Sequence, residues 1–217
     1  GFDGVQVNAK TLTVAERGAL DLQVHQAQLN VGRITAASSA NYTIGTAGTL
    51  TTTQGDTTGL AANTNIGGKL TLQADQLNVN SRIETLAGQV NLQGNTQVHL
   101  GSQAVVTAAS ATKTYADKTT HIDAGKVQLS SAGDVVVDAG AVVNVSAQGD
   151  ADAGKVTVSA VAGNLQLQGQ LDGRALGTGK GGSLDIDVNA LPSVVAVDQQ
   201  AQGFSQSRSY RVRTGDV

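Results

Sequence analysis

The sequence predicts an all-β solenoid, a stack of about seven to eight coils in which each coil contributes three short strands. The strongest evidence lies in residues 125–158, where three short runs carry apolar side chains two positions apart, as in a strand with one buried face. The runs are Val127 and Leu129, Val135 and Val137, and Val143 and Val145. At Gly154 the segment GKVTV repeats GKVQL at Gly125, so successive coils would cover one another's apolar positions.

The composition also favours strands over helices. Charged residues make up 14% of the chain, against about 25% in ordinary domains, so Thr, Ser, Asn and Gln must cover the surface. Surface helices usually carry Glu and Lys pairs, whereas this polar mixture suits a sheet. Because the same pattern continues throughout, we interpret residues 1–217 as a single domain.

Charge and hydropathy exclude several kinds of partner. The net charge of −3 offers no electrostatic footprint for nucleic acid. The chain has no cysteine for a disulfide or a thiolate metal site. No apolar run approaches the roughly 18 residues that a membrane span needs, so we expect a chain that does not span a membrane.

Further apolar pairs mark the other coils in chain order. They are Val5, Val7, Leu12 and Val14 in a first partial coil; Leu20, Leu22, Leu29, Val31 and Ile34; Leu70, Leu72, Leu77, Val79 and Ile83; Val90, Leu92, Val98, Leu100 and Val105; Val156, Val158, Leu165, Leu167 and Leu171; and Leu184, Ile186 and Val188. The segments LDLQ…QLNVGRI and LTLQ…QLNVNSRI match at inward and outward positions alike, which indicates an internal repeat.

Most coils contain more residues than their three strands need, and the additional residues follow the third strand. They predict insertions at about 35–67, 107–125, 147–154 and 172–182. Insertions at one phase of a solenoid project from one corner, often the binding face. Tyr42 and Tyr115 both fall in these ranges and form the candidate contact surface. The largest insertion contains NYTIGTAGTLTTT, which indicates either a β-hairpin turning at residues 45–48 or a flexible loop.

The pattern changes after Leu191 because Pro192 cannot donate to a strand ladder. Residues 194–197 suggest one more strand, and residues 191–217 a last coil that leads into a longer parent chain. No amphipathic capping helix is expected at either end. Arg208, Arg211 and Arg213 form either a basic spot or, as we favour, an outward strand face.

Carboxylates and histidines provide only weak signs of chemistry. Asp185 and Asp187 alternate with apolar residues, which indicates either a catalytic acid–base pair or the solvent-exposed face of an ordinary strand. The segment GDADAG at residues 149–154 suits a calcium loop or an Asp-rich turn. The three histidines lie in different coils without a zinc-binding spacing. We therefore expect no catalytic residue, no cofactor and no metal, and a protein that is not an enzyme.

The units Gly125-Lys-Val-Gln-Leu, Gly154-Lys-Val-Thr-Val and Gly182-Ser-Leu-Asp-Ile, with outer faces rich in Thr, Asn and Gln, resemble the filamentous-haemagglutinin-like exoproteins of bacterial two-partner secretion. The resemblance covers about residues 5–188. It implies a right-handed parallel β-helix, a secreted or cell-surface location, and export through an outer-membrane transporter. It also implies adhesion or contact-dependent toxin delivery.

We therefore expect a structural and adhesive shaft segment of a large exoprotein that contacts a host or neighbouring cell through its insertions. The alternative is a carbohydrate-active β-helix enzyme, a lyase or a hydrolase, because parallel β-helices also carry such activities. Carboxylates clustered with Arg or Lys in one groove would favour the enzyme, and a smooth polar surface would favour the shaft.

Overall fold

The computed structural model describes residues 2–214, and in this range it contains nineteen β-strands and one short α-helix. The strands are β1 (Gly4–Val14), β2 (Arg17–Asp21), β3 (Gln26–Ala36), β4 (Asn41–Gly45), β5 (Thr49–Gln54), β6 (Lys69–Asn80), β7 (Arg82–Glu84), β8 (Gln89–Leu100), β9 (Val105–Thr107), β10 (Ala111–Tyr115), β11 (Lys118–Ile122), β12 (Lys126–Ser131), β13 (Asp134–Val137), β14 (Val142–Asn144), β15 (Lys155–Leu167), β16 (Gln170–Asp172), β17 (Ser183–Ala190), β18 (Ala201–Gln202) and β19 (Ser207–Val212). The helix α1 spans Val194–Gln200.

Seventeen of these strands form one sheet in which every described pairing is parallel, and β10 and β11 form a separate antiparallel pair. The fold is therefore all-β apart from α1, and its large parallel sheet is consistent with a β-solenoid. A parallel pair cannot be closed by a tight hairpin, so each strand must return over a longer path to the next one.

The pairings arrange the strands in three series. The first series is β2, β4, the first half of β6, the first half of β8, β12, the first half of β15, β17 and β19. The second is the first halves of β1 and β3, then β5, the second halves of β6 and β8, β13 and the second half of β15. The third is the second halves of β1 and β3, then β7, β9, β14, β16 and β18.

Within each series, the register pairs apolar residues of one strand with apolar residues of the next. Leu92, Leu129 and Val158 are successive partners in the first series, and all three are buried. In the second series, Val98 and Val135 are partners and are also buried. The six apolar residues identified in 125–158 are all at most 1% exposed. Most of the buried apolar side chains form one hydrophobic cluster with members from all three series, and its burial is the main stabilising contribution.

The insertion expected at residues 35–67 is wrong for the first part of this range, which contains β4 and β5. Each pairs in parallel with strands before and after it, so the suggested hairpin at residues 45–48 is also wrong. Ile44 and Leu50 are buried in the common core. Thr52 takes the inward position between Leu29 and Val79, where its hydroxyl accepts a 2.8 Å hydrogen bond from Ser81. This inward threonine weakens the hydrophobic alternation of β5.

Only the later part of that range leaves the sheet. After β5 the chain forms a loop to residue 68, and β3 pairs directly with β7 through Ile34 and Ile83. Arg33 Nη1 donates to the carbonyl of Ala61 at 2.9 Å and to Glu84 Oε2 at 3.3 Å. Because Arg33 and Glu84 are both buried, their ion pair fixes the loop to the third series and neutralises two buried charges.

The strand suggested at residues 194–197 is also wrong, because these residues begin helix α1. Ser193 caps the helix by accepting from the amide of Ala196, and of the helix only Val197 is buried. The β-branched residues imitate a strand, but Pro192 and the Ser193 cap favour a helix start. The suggested last coil over 191–217 does contain β18 and β19, whereas residues 215–217 lie outside the described residues.

The final strand carries polar side chains at inward register positions. Arg208 and Tyr210 align with Leu184 and Ile186, and both bond Asp198 of α1. Partial burial, together with the hydrogen bond to Asp198, raises the pKa of Tyr210 to about 12. The hydrogen bond from Tyr210 in turn holds the pKa of Asp198 below its usual value. These contacts attach α1 to β19, the last strand of the first series, whereas the sequence led us to expect no helix at either end.

Candidate contact surface

The antiparallel hairpin of β10 and β11 is the most exposed element within the insertion at 107–125. Its register runs from Ala111 with Ile122 to Tyr115 with Lys118, so a two-residue turn closes it. Ala116 in that turn has a φ of +50°, a left-handed conformation that two-residue hairpin turns use. Since the hairpin does not join the parallel sheet, both of its faces are free of the core apart from its base.

One face of the hairpin combines an aromatic ring with two cations. Lys113, Tyr115, Lys118 and Thr120 share this face, because directly paired residues of an antiparallel ladder lie on the same side. Tyr115 is 60% exposed, and Lys113 Nζ lies 5.7 Å from the centroid of its ring. Such an arrangement can stack on a ring or an apolar patch of a partner while the ammonium groups bind anionic groups.

The base of the hairpin is bound to the insertion at 147–154. His121 Nδ1 lies 2.9 Å from Asp150 Oδ1, and the amide of Asp152 donates to Asp123 Oδ1 at 2.8 Å. The hydrogen bond with His121 lowers the pKa of Asp150. Gly149 has a φ of +62°, which favours glycine, and a Cβ there would lie 2.1 Å from His121 Nδ1, so a larger residue would have to displace the imidazole.

The insertion at 147–154 is in turn bound to the insertion at 172–182. The amides of Leu176 and Thr178 donate to the carbonyls of Ala147 and Gly149, each at 2.8 Å. The amide of Lys180 donates to Asp152 Oδ1 at 2.7 Å. Below these bonds lies a small cluster of alanines, formed by Ala147, Ala151 and Ala153 with Ala124 packed against them. We call the hairpin and residues 147–154 and 172–182 together the insertion surface.

The two tyrosines of the predicted contact surface lie in different elements. Tyr115 belongs to the insertion surface, whereas Tyr42 lies in β4 of the parallel sheet. Tyr42 is half-buried against the core, and its ring covers Gly18, where a Cβ would meet Cε2 at 2.9 Å. The expected placement of Tyr42 in an insertion is wrong, because residues 41–45 are a strand of the parallel sheet. Its role as a contact residue stays a prediction.

The carboxylates considered for catalysis or metal binding make ion pairs and hydrogen bonds within the protein. Asp185 pairs with Lys155, and Asp187 accepts from Arg213 Nη2 at 2.8 Å. Asp150 and Asp152 hold the insertions together through His121 and the amide of Lys180. Within residues 2–214 no three side chains of His, Asp or Glu gather in a geometry that could hold a metal ion.

The sequence contained a signal for the hairpin that the coil pattern obscured. The segment TKTYADKTTH alternates strand-forming residues around Ala116 and Asp117, as hairpins do. Lys113 and Lys118 were not identified as contact residues, because their common face depends on the strand register.

Comparison with protein-family models, with curated proteins and with solved structures gives no match to this chain. Among the described residues, no helix combines the length and the apolarity that a bilayer crossing requires.

Proposed function

We propose that this chain is a right-handed parallel β-helix of about seven to eight coils and forms a structural, adhesive shaft segment of a large bacterial exoprotein. The in-register strand series support the repeat geometry, because each series buries apolar residues against the previous member. A stack of this kind keeps a long, narrow body rigid, since every layer is fixed by its two neighbours.

The adhesive part of the proposal rests on one observation. Three insertions that are separate in sequence hydrogen-bond to one another and form the insertion surface, from which the hairpin carries an exposed tyrosine and two lysines. A rigid scaffold that presents a joined loop surface is a common way to build a binding site. We assign contact with a host or neighbouring cell surface to the face of Tyr115.

The remaining parts of the proposal follow the resemblance to filamentous-haemagglutinin-like exoproteins. The protein would leave the cell through an outer-membrane transporter of two-partner secretion and act in secreted or surface-displayed form. A chain without cysteine suits this route, because no disulfide can form before export.

The experiment that tests adhesion removes the hairpin and keeps the stack. Residues 112–121 are replaced by Asn-Gly, which joins the paired residues Ala111 and Ile122 through a two-residue turn. Beads that carry the purified chain should adhere to bacterial or epithelial cells, and beads with the shortened chain should lose this adhesion. Far-UV circular dichroism and thermal unfolding show whether the shortened chain keeps its fold.

A point variant provides the finer comparison. Tyr115→Ala should reduce adhesion. Tyr42→Phe, which removes a tyrosine hydroxyl from the sheet but keeps the ring over Gly18, should leave adhesion unchanged. If wild-type beads do not adhere, or if the shortened and wild-type chains adhere equally while both are folded, the insertion surface is not an adhesive site.

A further inference from the structure

A second surface lies on the outside of the second series, where five neighbouring strands present only uncharged polar side chains and one histidine. We call it the amide face. It consists of Gln6, Asn8, Gln26, Gln28, Asn30, Thr49, Thr51, Thr53, Gln76, Asn78, Asn80, Gln97 and His99.

The register turns these side chains into rows that cross the strands. Gln28, Thr51 and Asn78 are successive partners in the central row, and Gln6 and His99 extend that row at its two ends. Neighbouring strands lie about 4.8 Å apart, and alternate residues along a strand lie about 6.7 Å apart. The amide face is therefore a regular grid of polar groups with two repeat distances.

The amide face carries no Asp, Glu, Lys or Arg. The five strand segments behind it are 4–9, 26–31, 49–54, 76–80 and 97–100, and none of them contains a charged residue. The outsides of the other two series do carry charges, for example Lys126 and Asp185 in the first and Arg82 in the third. Since the net charge of the chain comes from elsewhere, this face is electrically neutral by composition.

Much of the hydrogen-bonding capacity of the amide face is free. Among the described residues, side-chain hydrogen bonds within the face join Gln6 to Asn8, Asn30 to Asn8, and Thr53 to Asn30. Asn80 and His99 bond Gln103 and Asp138 at its border. The side chains of the central row from Gln28 to Asn78 make no such bond within residues 2–214, so their donors and acceptors face solvent.

We propose that the amide face binds a neutral, hydroxyl-rich polysaccharide. Sugar hydroxyls both donate and accept hydrogen bonds, and so do the amide and hydroxyl side chains of this grid. A polyanion or polycation would gain no charge pairing there, so the missing charge matches a neutral polymer. Each hydrogen bond contributes little in water, but a repeating polymer on a repeating grid adds many of them along one rigid contact.

This proposal does not depend on the adhesive role of the hairpin, which is a different surface. The test uses the complete chain and measures its depletion from solution by insoluble cellulose, chitin and curdlan. We expect saturable binding to at least one of them. Binding should persist between about 0.1 M and about 1 M NaCl, where the Debye length falls from about 10 Å to about 3 Å.

The decisive variant combines Gln28→Glu with Asn78→Asp, which keeps side-chain size but removes amide donors and adds two charges to the central row. We expect binding to weaken by at least about tenfold, because several hydrogen bonds are lost together. The matched control combines Gln128→Glu in the first series with Gln170→Glu in the third, which adds the same charge on the other two sides of the fold and should leave binding unchanged.

Several results would overturn the proposal. They are the absence of binding to all three polymers, loss of binding at high salt, and equal binding by the amide-face variant and its control. A preference for the polyanion alginate would also overturn it, because charged groups elsewhere on the chain would then be responsible. Slowed ice growth without retention by any polysaccharide would assign the grid to ice.

Discussion

The substitution Leu129→Ala tests the central packing of the stack. Leu129 is completely buried and lies in register between Leu92 on β8 and Val158 on β15, which are themselves at most 1% exposed. Buried Leu→Ala changes cost about 2–5 kcal/mol, which combines the lost transfer energy with a cavity term. We expect about 3–4 kcal/mol, since the parallel ladders on both sides hinder collapse of the cavity.

Urea unfolding followed by far-UV circular dichroism measures this loss of stability. A lower midpoint with an unchanged m-value means that the native state has lost stability without a change in the surface exposed on unfolding. A decreased m-value would indicate that part of the stack unfolds separately, as repeat proteins can do. Gln128→Ala is the matched control on the wet face of the same strand, and it should stay within about 0.5 kcal/mol of the wild type.

A loss below about 1 kcal/mol for Leu129→Ala would refute the reasoning, because that value is typical of a surface position. The same result would weaken the proposed β-helix, since Leu129 represents the inward row that continues through the first series.

Two other contacts allow predictions with a definite direction. The pKa of Tyr210 is raised from 10.0 to about 12, so its stabilising contribution is complete below pH 10 and is lost as the pH rises towards 12. Tyr210→Phe should therefore lose less stability than the wild type over this interval, and an equal decrease in the urea midpoint of both proteins would contradict the prediction. Glu84→Gln should destabilise the fold by about 3 kcal/mol, because it leaves the buried Arg33 without its ionic partner. Arg82→Gln, at a more exposed partner of Glu84, should cost less than about 1 kcal/mol, and equal losses in urea unfolding would show that burial does not decide the effect.

Much of the strand pattern could be predicted because alternation in a strand is a local property. Each residue pair such as Val127 and Leu129 indicates by itself which face is buried, and the structure buries both. Hydrophobic alternation did not identify β5 as a core strand, because Thr52 occupies an inward position and the loop after β5 changes the spacing of the apolar residues. Residue type was also misleading at α1, because its valines suggested a strand, whereas the N-cap at Ser193 stabilises a helix.

The candidate site was less predictable, since its parts are far apart in sequence. The insertions could be identified as surplus residues, but the contacts of His121 with Asp150 and of Lys180 with Asp152 join segments about one coil apart. Tyr42 was assigned to the contact surface because residues 41–45 were interpreted as part of an insertion. The lysines beside Tyr115 could not be identified, because their position depends on the register of the hairpin strands.

The sequence by itself determined the class of structure, an all-β chain with short strands, an aliphatic interior and a polar, weakly charged exterior. This is so because the two-residue period and the composition act within each strand. Only the tertiary structure decided which strands are neighbours, that residues 41–54 belong to the core, and that three insertions form one surface. Those outcomes depend on register between distant segments, where hydrogen bonds and inward packing must be satisfied together.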